Sequence, residues 1–224
     1  MKFHSALSNI FNLSNLVNLR VLVLHQVVLT RFPLLPTSIK KIRFRNWKWD
    51  DSAPALVTHN IFGTEYSTLP RLTDVYLENI HRVLAMPLEH IVAFPGTCLR
   101  TVHLRDSGHS LAVLLNLLDR GAMEHVVELG ISWGELNDGD AERFELFLPK
   151  LQSLSLEGAS VSGVFIKALA VRPASKLSKL VLVGCPSVSV DAIYWARTRG
   201  IDVTVMNREP TIISSWQNGL RQRR

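Results

Sequence analysis

The sequence predicts an α/β solenoid, a stack of strand-plus-helix units that share one parallel sheet. Three observations lead there. Pairs of apolar residues separated by one position recur along most of the 224 residues. The recurrence keeps a near-constant period, and several of the intervals carry apolar residues at helical spacing. Alternation has period two, so both members of a pair lie on one side of a short strand while their neighbours point to the other. A single unit of this kind cannot bury its own apolar face, whereas neighbours stacked on it can.

In chain order, Phe3, Leu7, Ile10 and Phe11 form a helical stripe in segment 1–15, expected to cap the first strand or to end an upstream repeat. The first unit reads Leu16, Leu19, Leu22, Leu24, Val27, and the second Ile39, Ile42, Phe44, Trp47. Leu69, Leu72, Val75, Leu77 and Ile80 make the third, and Leu99, Val102 and Leu104 the fourth. A helix is expected over Ser110 to Arg120, with Leu111, Leu114, Leu115 and Leu118 on one face. Val126, Leu129 and Ile131 follow. The clearest copy is Leu148, Leu151, Leu154, Leu156, Ala159, leading into a helix from Ser162 to Val171 through Val164, Phe165, Ala168 and Leu169, with Pro173 just past its end. Next come Leu177, Leu180, Leu182 and Cys185, then a helix from Ser189 to Arg199 with Ala192, Ile193, Trp195 and Ala196, Asp191 in its first turn and Gly200 as its stop. Val203 and Val205 close the series. Segment 207–224 contains Trp216 and Leu220, expected to cover the last strand, and a basic Arg221-Gln-Arg-Arg tail.

The first alternating residue of each copy stands at 22, 42, 75, 102, 129, 154, 180 and 203, at intervals of 20, 33, 27, 27, 25, 26 and 23. Most fall in the window of about 20–29 residues that marks leucine-rich repeats. Residues 16–206 are therefore expected to form about eight leucine-rich repeats. The architecture would be a horseshoe, with parallel strands on the concave side and helices on the convex side.

The stretch Leu177-Ser-Lys-Leu-Val-Leu-Val-Gly-Cys185-Pro-Ser-Val-Ser-Val-Asp-Ala192 is similar to the cysteine-containing leucine-rich repeats of F-box proteins, in which a strand ending in Gly-Cys leads through a short loop into a helix. Trp195-Ala-Arg-Thr-Arg-Gly-Ile-Asp-Val203 and Leu35-Pro-Thr-Ser-Ile-Lys-Lys-Ile42 resemble segments of fungal F-box/leucine-rich-repeat proteins. The resemblance implies a protein-interaction module that recognises the substrate of an F-box-type ubiquitin ligase. It departs from that family at one point: the three-helix F-box that docks on the ligase adaptor is not found. Leu35-Pro36 is like the Leu-Pro that opens many F-boxes, but a repeat strand and a Lys/Arg cluster follow it. A cullin-ligase adaptor is thus an expected partner only with an F-box upstream.

Composition narrows the remaining classes. Apolar residues make up 47% and charged ones 20%, the balance of a soluble globular chain rather than a disordered one. No apolar run approaches the ~18 residues of a membrane span, and Asn9, Asn12, Asn15 and Asn18 break the stretch where a signal peptide would need an apolar core. These points indicate an intracellular protein, cytoplasmic or nuclear. Cys98 and Cys185 lie three strand steps apart, roughly 14 Å at about 4.8 Å per step, beyond the ~7 Å between Cα atoms that a disulfide spans. Both are read as buried small apolar residues.

No enzymatic reading holds. Gly130-Ile-Ser132-Trp-Gly134 matches G-x-S-x-G, but a nucleophile elbow takes its His later in the chain, and all eight histidines precede Ser132. Metal-ligand spacing is absent, and Asp138-Gly-Asp140 reads as a helix-opening turn. No phosphate-binding loop is present, so no cofactor is expected.

A binding role remains, and charge places it. The net charge is +6, and Arg31, Lys40, Lys41, Arg43, Arg45 and Lys48 cluster with no acid until Asp50. The residues flanking the inward pair of each strand should form a ladder on the open face of the sheet. Its middle, Lys41, Arg43, Arg45, Asp74, Tyr76, Glu78, His103, Arg105 and Glu128, is the expected partner-binding surface, with the mixed charge and aromatic content of a protein interface. The basic run admits three readings: a solvated strand edge, a site for an acidic protein segment, or, least favoured, a nucleic-acid site. Val21, Val23, Val181 and Val183 also fall on this face, where a partner or the chain termini would cover them.

Overall fold

Short alternating segments bounded by turn residues become strands because extension lets each bury every second side chain. In the computed structural model, the described residues are 13–26, 28–29, 35–49, 69–81, 98–105, 114–115, 118–119, 121, 123–132, 135–171 and 175–207, with backbone alone at 28–29, 47–49 and 80–81. The strands are β1 (Val21–His25), β2 (Val28–Leu29), β3 (Lys41–Trp49), β4 (Asp74–His81), β5 (Thr101–Arg105), β6 (Glu128–Ser132), β7 (Ser153–Glu157), β8 (Lys179–Val183) and β9 (Asp202–Met206). They form one sheet in the order β1-β3-β4-β5-β6-β7-β8-β9, with β2 pairing β3 off that path. Every pairing is parallel. Three helices are described with their bounds, α1 (Ala141–Phe147), α2 (Gly163–Val171) and α3 (Val190–Thr198), and residues 114–115 and 118–119 are helical as well. The chain is thus α/β with a parallel sheet.

The register aligns the repeat position for position. Leu22, Ile42, Val75, Val102, Leu129, Leu154, Leu180 and Val203 are successive Cα partners across the sheet. A second row runs Leu24, Phe44, Leu77, Leu104, Ile131, Leu156, Leu182, Val205. From β3 to β8 both rows are buried, each side chain contributing about 1.5–3 kcal/mol relative to exposure. The outer strands depart from the expectation of burial. Leu22 and Leu24 are half-buried, Val205 is 47% exposed and Leu16 is 50% exposed, because at each edge a described neighbour covers one side only.

Two backbone devices repeat with the side chains. Leu19, Ile39, Leu72, Val126 and Leu151 each donate an amide to the carbonyl three residues earlier, closing the turn before the strand. The carbonyls of Arg20, Lys40, Thr73, Arg100, Val127 and Gln152 then each accept two consecutive amides from the next unit. The polar groups of the turns are thereby satisfied by stacking itself. Four residues after the first inward residue of β1, β3, β4, β7 and β8, the backbone turns left-handed, at Gln26, Asn46, Asn79, Gly158 and Gly184. Gln26, Gly158 and Gly184 donate their amides to the next strand's end, at Arg45, Val183 and Met206. Asn and Gly suit these positions because they tolerate positive φ.

The helices cover the buried side of the sheet. Phe144 of α1 meets Phe165 of α2 edge to face, ring centroids 5.5 Å apart. A Cβ on Gly163 would stand 2.7 Å from Ala192 Cβ, so glycine permits α2 to approach α3 closely. Ser189 caps α3, accepting the Ala192 amide at 3.2 Å. Asp138-Gly-Asp140 is a single 3-10 turn opening α1, as expected. In α2 the buried residues are Phe165, Ile166 and Leu169. Val164, expected on that face, is 65% exposed: the helix begins at Gly163, and the buried stripe is set one position later. Leu114 and Leu118 are helical and buried, whereas Leu111 lies outside the described residues, as do the expected caps at Phe3, Leu7, Ile10, Phe11, Trp216 and Leu220.

Both thiols are free. Cys98 is exposed, not buried as expected, because it precedes Leu99 outside the inward rows. Cys185 is half-buried just after Gly184 and donates to the carbonyls of Leu156 and Val183 at 3.6 and 3.7 Å. Burial raises its pKa against the opposing backbone hydrogen bonds, which keeps it a protonated, structural thiol. Among the described residues no helix is long and apolar enough to cross a membrane.

Candidate functional site

The face of the sheet opposite the inward rows is lined by the flanking residues, and strand register sets which of them meet. One row runs Val23, Arg43, Tyr76, His103, Gly130, Ser155, Val181 and Thr204. Below it run Val21, Lys41, Asp74, Thr101, Glu128 and Ser153, and above it His25, Arg45, Glu78 and Arg105. All nine sequence-selected residues therefore lie on β3 to β6, on one face.

Tyr76 is the centre. Its ring stacks on His103 with centroids 4.8 Å apart and planes 13° from parallel. The Lys41 ammonium lies 4.4 Å and the Arg43 guanidinium 5.8 Å from the Tyr76 centroid, within the range of cation–π attraction. His103 Nε2 donates to Glu128 Oε1 at 2.9 Å. Its ring leans over Gly130, where a Cβ would sit 2.4 Å from His103 Nδ1. Stacking, hydrogen bond and the bare glycine together fix the imidazole. Burial lowers its pKa below 6.5, with Arg105 and Lys41 adding to the effect and Glu128 opposing it.

The basic run looks unpaired in the sequence, yet the neighbouring strand supplies its acid. Glu78 Oε2 lies 3.3 Å from Arg45 Nε and 4.0 Å from Arg43 Nη2. Asp74 is held differently, accepting from Thr73 Oγ1 at 2.6 Å. Arg105 is the register partner of Glu78 and is exposed. Arg43, Tyr76, Leu77, Glu78, His103 and Arg105 line a cavity of about 220 Å³.

Sequence reasoning missed two parts of this surface. Gly130 lies between the inward Leu129 and Ile131 and so falls on the face, but its service as the seat of His103 follows from ring geometry that spacing does not encode. An amide chain was also missed, in which Asn79 Nδ2 donates to Asn46 Oδ1 at 2.9 Å and Asn46 Nδ2 donates to His25 Nε2 at 3.3 Å. The recurrence of Asn at equivalent positions of two units was its available signal.

The valines divide. Val21 and Val23 are 49% and 55% exposed. Val181 and Val183 are half-buried, covered in part by their neighbours on β7 and β9. Ser132 ends β6, in register with Glu157. Trp133 and Gly134 of the G-x-S-x-G match lie outside the described residues. Among the described residues no group of three or more His, Cys, Asp or Glu side chains is placed to hold a metal ion. The arrangement offers cations, one stacked aromatic pair and a shallow cavity. No family model matches the chain, and no curated protein matches it.

Proposed function

We propose that this chain is a protein-interaction module of the leucine-rich-repeat type, built as a horseshoe with the sheet on its concave side, and that the face around Tyr76 receives the partner. The observation that carries the reading is the assembly of Lys41, Arg43, Tyr76, His103 and Glu128 into one fixed, solvent-facing cluster. A preorganised aromatic with flanking charges costs little side-chain entropy on binding, as interface anchors require. The role is binding, without catalysis or a cofactor. Photocrosslinking tests it: a crosslinker at Tyr76 should capture a partner that one at Tyr194, exposed on α3, does not. Triple reversal to Glu at Arg43, Arg45 and Arg105 that left partner capture unchanged would sink the assignment of this face.

The F-box resemblance supports substrate recognition for a ubiquitin ligase in the cytoplasm or nucleus. Mapping the 5′ end of the transcript tests that context. An upstream in-frame F-box with copurifying adaptor supports it, and Met1 as the true start removes its support. A second reading, a stand-alone scaffold for an acidic protein or a nucleic acid, is favoured by the cation excess on β1 to β5. Phosphate contacts would make nucleic-acid binding fall steeply with salt.

A further inference from the structure

We propose that the cavity bounded by Arg43, Tyr76, Glu78, His103 and Arg105 is a carboxylate-binding site, occupied by an aspartate or glutamate side chain on an acidic segment of the partner. The proposal rests on the interaction reading above and deepens it by naming the chemistry. Arg45 takes Glu78 at 3.3 Å, which leaves Arg43 only a grazing contact at 4.0 Å. Arg105 has no ion pair among the described residues. Two guanidinium groups therefore border the cavity with hydrogen-bonding capacity to spare, and the guanidinium fork matches a carboxylate. A cationic ligand is disfavoured because one face of Tyr76 already carries Lys41 and Arg43 and the other carries His103.

Glu78 sets the valence. A carboxylate in the wall repels a dianionic phosphate more than a monoanion at the same distance. The surroundings extend the preference to a segment: among the described residues from 13 to 105, Arg20, Lys40, Arg71 and Arg100 add positive charge, while the acids are Asp74 and Glu78 alone, both engaged. An acidic chain crossing β3 to β5 meets Lys41, Arg43 and Arg45 on β3 and Arg105 on β5, two strand steps of about 4.8 Å further on.

Fluorescence anisotropy with the full chain tests this, using labelled alternating Gly-Glu, Gly-Gln and Gly-phosphoserine peptides and a single-stranded DNA oligomer. The Gly-Glu peptide should bind, and its Gly-Gln counterpart at least about tenfold more weakly, the difference one charge-assisted contact makes. Arg43→Gln and Arg105→Gln should each weaken Gly-Glu binding roughly fivefold, whereas Lys150→Gln, at the turn before β7, leaves it unchanged. Both arginines are exposed, and circular dichroism of each variant confirms the fold. Equal binding of Gly-Glu and Gly-Gln, lost together in Tyr76→Ala, overturns the carboxylate site while leaving the interaction face standing. Tighter binding of the phosphoserine peptide or DNA than of Gly-Glu overturns it in favour of phosphate. Absence of peptide binding also overturns it, and the interaction reading falls with it only when crosslinking at Tyr76 fails too.

Discussion

His103 is held by three neighbours at once: the Tyr76 ring at 4.8 Å, Glu128 at 2.9 Å, and the backbone of Gly130, which has no side chain to collide with it. Gly130→Ala forces the imidazole out of this seat, because a Cβ would fall 2.4 Å from Nδ1. Overpacking of this kind costs about 1–3 kcal/mol, read as a lower urea midpoint together with loss of the Tyr76–His103 stack in NMR ring-current shifts. Proton linkage at His103 has a definite sign. Its folded pKa lies below 6.5, chiefly from burial, so between the two values the unfolded chain binds more proton. Stability from this residue is complete above about 6.5 and is lost as pH falls toward the folded value. The melting midpoint should fall as pH is lowered below about 6.5, and His103→Gln should flatten that slope. Lys41, Arg43, Arg45 and Tyr76 were legible as face residues because period two fixes their side. The Glu78 contact and the ring stack were not, since they depend on rotamers and on which strand comes next to which.

The element scale turns on how one strand–helix unit is tied to the next. Asp138, in the 3-10 turn before α1, accepts from the Ser162 amide at 2.7 Å and from its hydroxyl at 2.5 Å, fastening that turn to the start of α2. Burial pushes the Asp138 carboxyl up, but hydrogen bonds from Ser162 and the Phe165 amide outweigh it and hold the carboxyl below 3.8. Its stabilisation is present above about 3.9 and disappears as pH falls through the folded value. Asp138→Ala should cost about 1–3 kcal/mol in urea unfolding at neutral pH, and the gap to the parent should narrow as pH falls below about 3.9 through the folded value. Strand positions were legible here because the apolar pairs have one assignment that buries both members. Helix faces were less so: the choice between Val164 and Ile166 depends on where α2 starts, which Ser162 decides by facing Asp138. The left-handed residues Gln26, Asn46, Asn79, Gly158 and Gly184 left only a composition cue, and Gln26 does not follow even that.

At the scale of the molecule the core is two rows of side chains, with a carbonyl that accepts two amides and a left-handed residue recurring around them. Interior strands are covered from both sides, and the edge strands β1 and β9 from one side among the described residues. Amides of β6 and β7 should therefore exchange more slowly than those of β9, by hydrogen-exchange mass spectrometry, as nearest-neighbour stabilisation requires. Leu154→Ala, in a fully buried position, should lower stability by about 2–5 kcal/mol, and Val205→Ala by far less. The parallel order was legible from the repeat because each strand had to return in the same direction after its connection. The end residues were harder to read, because the pattern that assigns an inward side does not say whether a neighbour arrives to cover it.

The shared register has a consequence for how such a chain can change in length. The Val127 carbonyl receives the amides of Gln152 and Ser153, and the Gln152 carbonyl those of Ser178 and Lys179. Excising residues 153–178 would join Gln152 to Lys179 and offer the Val127 carbonyl an equivalent pair of donors, with Leu180 arriving where Leu154 had stood. Duplication of the same block meets the same donors and acceptors in reverse. Whole units are thus the grain along which this chain can gain or lose length in evolution, while an insertion of one residue inside a strand would turn its buried side outward.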